Sequence, residues 1–151
     1  MSEEVKNGRY EDKYGTVRWY KNGKLHRVDG PAIERKNGGK EWWVNGKYHR
    51  EDGPALEWAD GSKEWFKNGK YHREDGPAIE YANGNKQWWL NGRRHREDGP
   101  AVEYPDGFKL WWLNDIQKTE EEFNLWLQKK LLNEKLLATL EEKPSVKKVK
   151  I

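Results

Sequence analysis

The sequence predicts a mostly β protein: a single-layer, elongated antiparallel β-meander of 23-residue repeats, followed by a C-terminal amphipathic α-helix. Three observations predict it. The string HRVDGPA begins at His26, and HREDGPA begins at His49, His72 and His95, each 23 residues after the last. In the same register Trp19, Trp42, Trp65, Trp88 and Trp111 recur, as do Asn22, Asn45, Asn68, Asn91 and Asn114. Beyond Asn114 the period stops and apolar residues recur at helical spacing.

The composition says what kind of core such a chain can build. Its 151 residues suit one domain with an appendage. Leu, Ile, Val and Phe make up about 17% of the chain, a level at which disorder is the usual expectation. Ten Trp, seven Tyr and a net charge of only +3 oppose that and predict an aromatic core. With no Cys, disulfide frameworks, Cys-ligated metal and thiol catalysis are excluded. No run of about 18 apolar residues is present, and the first twenty residues are unlike a signal peptide, so the expectation is a cytoplasmic protein, either native or inside a host cell. Bases exceed acids by two in residues 1–114 and by one in 115–151, well short of a nucleic-acid binder that relies on phosphate contacts.

The repeat array spans residues 1–114, of which 1–15 are a degenerate half-repeat with Gly15 still in phase. In one unit, Pro77-Ala78-Ile79-Glu80-Tyr81-Ala82 is a strand, Asn83-Gly84 a two-residue type I′ turn, and Lys86-Gln87-Trp88-Trp89-Leu90 the returning strand. Asn91-Gly92 turns the chain again, and Asp98-Gly99-Pro100 leads into the next strand, at whose start a missing N–H is tolerated. A two-residue loop pairs Ile79 with Trp88. One face would then hold Ile33, Leu56, Ile79, Val102, Trp58, Tyr81, Tyr104 and the five in-phase tryptophans as core. The other would hold the alanines, the Glu34, Glu57, Glu80 and Glu103 ladder, and an aromatic row of Tyr20, Trp43, Phe66, Trp89 and Trp112. A bulge in the loop would swap the faces.

Residues 115–142 predict the helix. Thr119 and Glu122 form a capping box, and Phe123, Leu127, Leu131, Leu136 and Leu140 mark an apolar stripe. The stripe either covers the sheet, at its end or over its aromatic face, or mediates a homodimer or partner contact. Residues 143–151 form a basic tail with Lys147, Lys148 and Lys150.

No catalytic residue, metal ligand or cofactor is predicted. Strands lie about 4.8 Å apart, so histidines that recur every second strand are about 10 Å apart, too far to share a zinc ion. No phosphate loop, nucleophile elbow or zinc-helix motif occurs, and the glycines sit at turns. The residues predicted to bind are the aromatic row Tyr20, Trp43, Phe66, Trp89 and Trp112, with Arg27, Arg50, Arg73 and Arg96 beside it. Trp, Tyr and Arg dominate protein interfaces, which makes a protein the expected partner. The alternative is a polyanion or nucleotide (RNA, a signalling nucleotide or anionic lipid) held by stacking and by Arg and Lys.

The 23-residue period, the Asn45-Gly46-Lys47 turn followed by His49, and the Gly53 and Asp60-Gly61 steps, with their equivalents in neighbouring units, resemble the MORN repeats over about residues 10–114. HREDGPA replaces the Gly-rich step of that family, a variant similar to MORN-like repeats of bacterial, phage and giant-virus proteins. The resemblance implies a β-repeat fold of the kind that serves as a docking scaffold, a membrane-associated module or an accessory domain of enzymes and, from relatives labelled antitoxin-like, an antitoxin or an antagonist of host defence; with no catalytic motif in the chain, the expectation is a non-enzymatic scaffold.

Overall fold

The structure, a computed structural model, describes residues 4–142 and divides the chain into two compact units, Met1–Gln117 and Lys118–Ile151. The basic tail expected at 143–151 lies outside the described residues.

The first unit is an antiparallel meander. Twelve strands form one sheet, whose path runs in sequence order from Gly8–Glu11 to Ile116–Lys118 without closing. Each inner repeat gives this sheet two short strands, such as Leu56–Glu57 and Lys63–Glu64, and then a small separate hairpin, such as Phe66–Lys67 with Lys70–Tyr71. The final strand extends the sheet past residue 114, where the repeats were expected to end.

Loop length sets the register, and it corrects the predicted faces. Ile79 pairs with Gln87 rather than with Trp88, and Glu80 with Lys86. The Tyr81 N–H donates to the Asn85 carbonyl and the Gly84 N–H to the Tyr81 carbonyl, both at 2.9 Å, so the loop has three residues, not two. Gly84 alone takes the left-handed conformation there, at φ 92°, which is the bulged hairpin rather than the type I′ turn. The type I′ geometry occurs at the second Asn-Gly, with Asn91 at φ 49° and Gly92 at φ 76° between the paired Leu90 and Arg93.

One residue of slip exchanges the aromatic sets between the two faces. Ile33, Glu41, Leu56, Glu64, Ile79, Gln87 and Val102 stand in cross-strand register on one face. Glu34, Lys40, Glu57, Lys63, Glu80, Lys86, Glu103 and Lys109 alternate along the other. By strand alternation Trp43, Phe66, Trp89 and Trp112 join the aliphatic row, while Trp42, Trp65 and Trp88 join the charged one. Contacts agree: Leu56 packs with buried Phe66 under Tyr48 and Tyr71, whereas Arg50 both stacks on Trp42 and bonds Glu57.

The HRxDGPA segment is a single device for covering the charged face. Each Arg guanidinium lies over the in-phase indole of its own repeat: Arg27 on Trp19, Arg50 on Trp42 and Arg96 on Trp88 at 3.8 Å, and Arg73 on Trp65 at 3.9 Å. Its Nε donates to the Asp two residues on and its Nη1 to the carbonyl of the following Pro and to the ladder Glu, as Arg50 does to Asp52, Pro54 and Glu57. Glycine leaves room for it, since a Cβ on Gly53 would stand 2.9 Å from Arg50 Cζ. The alanines after Pro, Ala32, Ala55, Ala78 and Ala101, are fully buried.

Histidine joins one repeat to the next. His26, His49, His72 and His95 each accept at Nδ1 from the backbone N–H of the turn asparagine of the following repeat, at 3.0 Å. The glycine of the same turn donates to the preceding repeat, as Gly69 does to the Tyr48 carbonyl at 2.9 Å. At the N-terminal end Asn7 Oδ1 replaces the imidazole, accepting from the Asn22 N–H at 2.8 Å, and the Lys6 carbonyl receives the Gly23 N–H.

The second unit holds the helix, Glu120–Glu141, opened by the expected capping box between Thr119 and Glu122. Phe123 is its one buried residue among those described. The predicted stripe does not form one face: at about 100° per residue its members Leu136 and Leu140 fall about 140° and about 100° round the helix from Phe123. Leu125, Leu131, Leu132, Leu136, Leu137 and Leu140 are all more than half exposed.

The Gly53→Ala variant is expected to displace Arg50 from Trp42 and lose its three hydrogen bonds, lowering stability by about 2 kcal/mol in urea unfolding. Gly53 has no left-handed φ, so backbone strain plays no part in that loss.

Candidate binding surface

On the aliphatic face the small hairpins supply partners that the sequence reading did not foresee. Rings from the outgoing and returning strands stack in alternation across repeats: Trp43 with Tyr48 at 3.8 Å, Tyr48 with Phe66 at 5.0 Å, Phe66 with Tyr71 at 4.1 Å, and Tyr71 with Trp89 at 5.4 Å. The Arg94 guanidinium continues the series between Trp89 and Trp112, at 4.9 and 4.7 Å from their rings. At the other end Tyr20 meets Tyr10 edge-on at 5.6 Å.

Of the predicted binding row, Phe66 is therefore core, and Tyr20, Trp43, Trp89 and Trp112 are half-buried members of a stack. Arg27, Arg50, Arg73 and Arg96 lie on the opposite face, with Nε and Nη1 committed to the stacks described above. The predicted site residues thus do not converge on one patch.

Polar side chains anchor the stack from within. Glu41, 5% exposed, accepts from Trp43 Nε1 at 3.0 Å and from the Tyr48 hydroxyl at 3.1 Å, and it is paired with Arg35. Glu64, 7% exposed, accepts from Trp58 Nε1 at 2.9 Å and from the Tyr71 hydroxyl at 2.7 Å. Gln87 does the same service for Trp89 Nε1 at 3.2 Å. In the last repeat Leu110 occupies this position, and Trp112 Nε1 is buried without a hydrogen-bond partner.

What the face leaves open is a different aromatic row. Trp58, Tyr81 and Tyr104, one repeat apart, are 45%, 38% and 37% exposed. Strand alternation puts them on the aliphatic face, beside the buried row. They were expected to be core. Their position at the last residue before each bulged loop, at the margin of the sheet, is the signal that could have shown them to be open. Trp58 is held by its bond to Glu64.

Among the described residues no group of three or more His, Asp and Glu side chains is placed to hold a metal ion. No helix among them is long and apolar enough to cross a membrane. No family model matches the chain, and no curated protein is similar to it.

Burial and the neighbouring Glu41 carboxylate push the Tyr48 hydroxyl up to about 12, and burial with Glu64 raises Tyr71 as well. A group whose proton is held more tightly in the folded state stabilises it below its ordinary value, near 10, and loses that contribution as pH rises through the folded value. The Tyr48→Phe variant should therefore lose the tyrosinate absorbance component that titrates near pH 12, with the alkaline unfolding limb displaced. Separately, Leu110→Gln should give Trp112 Nε1 its missing acceptor and raise the urea midpoint by about 1 kcal/mol of stability.

Proposed function

We propose that the chain is a non-enzymatic repeat scaffold that binds another protein through the open aromatic margin of the aliphatic face of its sheet. The observation that carries this reading is the row Trp58, Tyr81 and Tyr104, exposed at one-repeat intervals beside the aromatic stack. Aromatic side chains fixed before binding lose little entropy on association and are common anchors of protein interfaces. The commitment of Arg27, Arg50, Arg73 and Arg96 to their own repeats favours a protein over a polyanion. The MORN-like resemblance extends the proposal to a toxin or defence protein as the partner.

The test is affinity capture from the source cells with the wild type and with Trp58→Gln, Tyr81→Gln and Tyr104→Gln combined. Glutamine at 58 retains a donor for Glu64. The variant gives up the apolar area that these rings bury and should unfold at a lower urea concentration; compared with the wild type under conditions where both are folded, it should recover at most a tenth of the partner protein. Equal recovery by the variant, or capture that collapses as salt rises from about 50 to 200 mM and brings nucleic acid with it, overturns the reading.

A further inference from the structure

Three notches open along the charged face, each between two consecutive HRxDGP segments and floored by an in-phase indole. They measure about 760, 610 and 690 Å³ and are floored by Trp42, Trp65 and Trp88 respectively. Beside the indole each has one residue from the small hairpin: Val44, Lys67 or Leu90. Each is also lined by the residue two positions after the histidine of its first HRxDGP segment: Val28, Glu51 and Glu74 in turn.

The pairs differ in kind. Val28 with Val44 is apolar on both sides. Glu51 with Lys67 is an ion pair, Lys67 Nζ lying 3.3 Å from Glu51 Oε2, and the ammonium holds the Glu51 carboxyl below its ordinary range. Glu74 with Leu90 is a mismatch: the carboxylate of the ion pair is kept while the lysine is replaced by an aliphatic side chain. Glu74 is 81% exposed and has His72 Nε2 at 3.5 Å. The notch that contains the chain's own lysine is the smallest of the three.

Charge sharpens the mismatch. Two arginines and four carboxylates line the Trp88 notch. Those arginines are already neutralised, Arg73 by Asp75 and Glu80 and Arg96 by Asp98 and Glu103. Glu74 stands above an indole and a leucine that can take an alkyl stem.

We propose that the notch between Arg73–Gly76 and His95–Asp98 receives a lysine or arginine side chain of a partner protein, in the place that Lys67 fills one repeat earlier. The aliphatic stem lies along Leu90 and the part of Trp88 that Arg96 leaves open to the notch, and the cation meets Glu74. This deepens the scaffold reading, on which it rests for the partner being a protein, and adds a recognition point on the face opposite Trp58, Tyr81 and Tyr104.

The probe is a blocked Gly-Lys-Gly peptide, with Gly-norleucine-Gly as the uncharged control, titrated against the full chain and read by amide and indole NMR. In the wild type the lysine peptide should shift the Glu74, Trp88 and Leu90 signals saturably and the norleucine peptide should not. Leu90→Lys, which builds into this notch the lysine of the neighbouring one, should abolish the response without loss of fold. Glu74→Gln should weaken it about threefold, the scale of one exposed ion pair. Lys67→Leu should add a second response at Glu51 and Trp65. Unmoved wild-type signals, equal shifts with norleucine, or a Leu90→Lys variant that titrates like the wild type overturns the proposal. The Trp58, Tyr81 and Tyr104 variant should keep the peptide response, so loss of partner capture with an intact notch, or the reverse, identifies which of the two readings has failed.

Discussion

The guanidinium laid on an indole is the contact on which the rest of this sheet depends. A chain with so few aliphatic residues cannot bury a two-layer core, and its strands are only two residues long over most of the sheet. Arginine solves both difficulties. Its plane covers Trp19, Trp42, Trp65 and Trp88, and its N–H groups tie down the aspartate, the proline carbonyl and the ladder glutamate around it. Each stack is worth about 1–2 kcal/mol once shielded from water, and the glycine beneath is required because the cation occupies the volume a side chain would need. Repeated four times, this makes one face of a thin sheet self-covering.

The opposite face reaches the same end with neutral rings. Tyr48 and Tyr71 return from the small hairpins to stack on Trp43, Phe66 and Trp89, and buried carboxylates at Glu41 and Glu64 hold their hydroxyls. Such a network is stable only where every polar member has a partner. Trp112, which lacks one, marks where the pattern runs out.

Much of this was legible in the sequence. The period, the two main-sheet strands per repeat, the turn at the second Asn-Gly and the capping box at Thr119 all follow from local chemistry that repeats or punctuates the chain. The faces were not, because they turn on whether Asn83-Gly84 closes a loop of two residues or three. Both loops use the same dipeptide, and the choice reverses every side chain downstream of it. Trp58, Tyr81 and Tyr104 kept the expected face but stand open at its margin, just before each bulged loop, and the stacking of Tyr48 and Tyr71 was hidden because each belongs to a strand of two residues. The arginines were read as available cations since their partners lie two, four and seven residues away, a pattern visible only once the chain is folded around Gly53 and its equivalents. Neither is the helix face decided by spacing, as leucines occupy most of its circumference.

The asparagine that stands in for an imidazole at the start of the array has an evolutionary corollary. Every turn is clasped by the unit before it, so the first needs a substitute, which Asn7 and Lys6 supply, and the last needs none of its own. Insertion or deletion of one whole 23-residue segment therefore leaves the clasp between imidazole and turn asparagine unchanged at every junction. A gene encoding such a chain can lengthen or shorten its product in whole steps, by unequal recombination, without inventing a new joint.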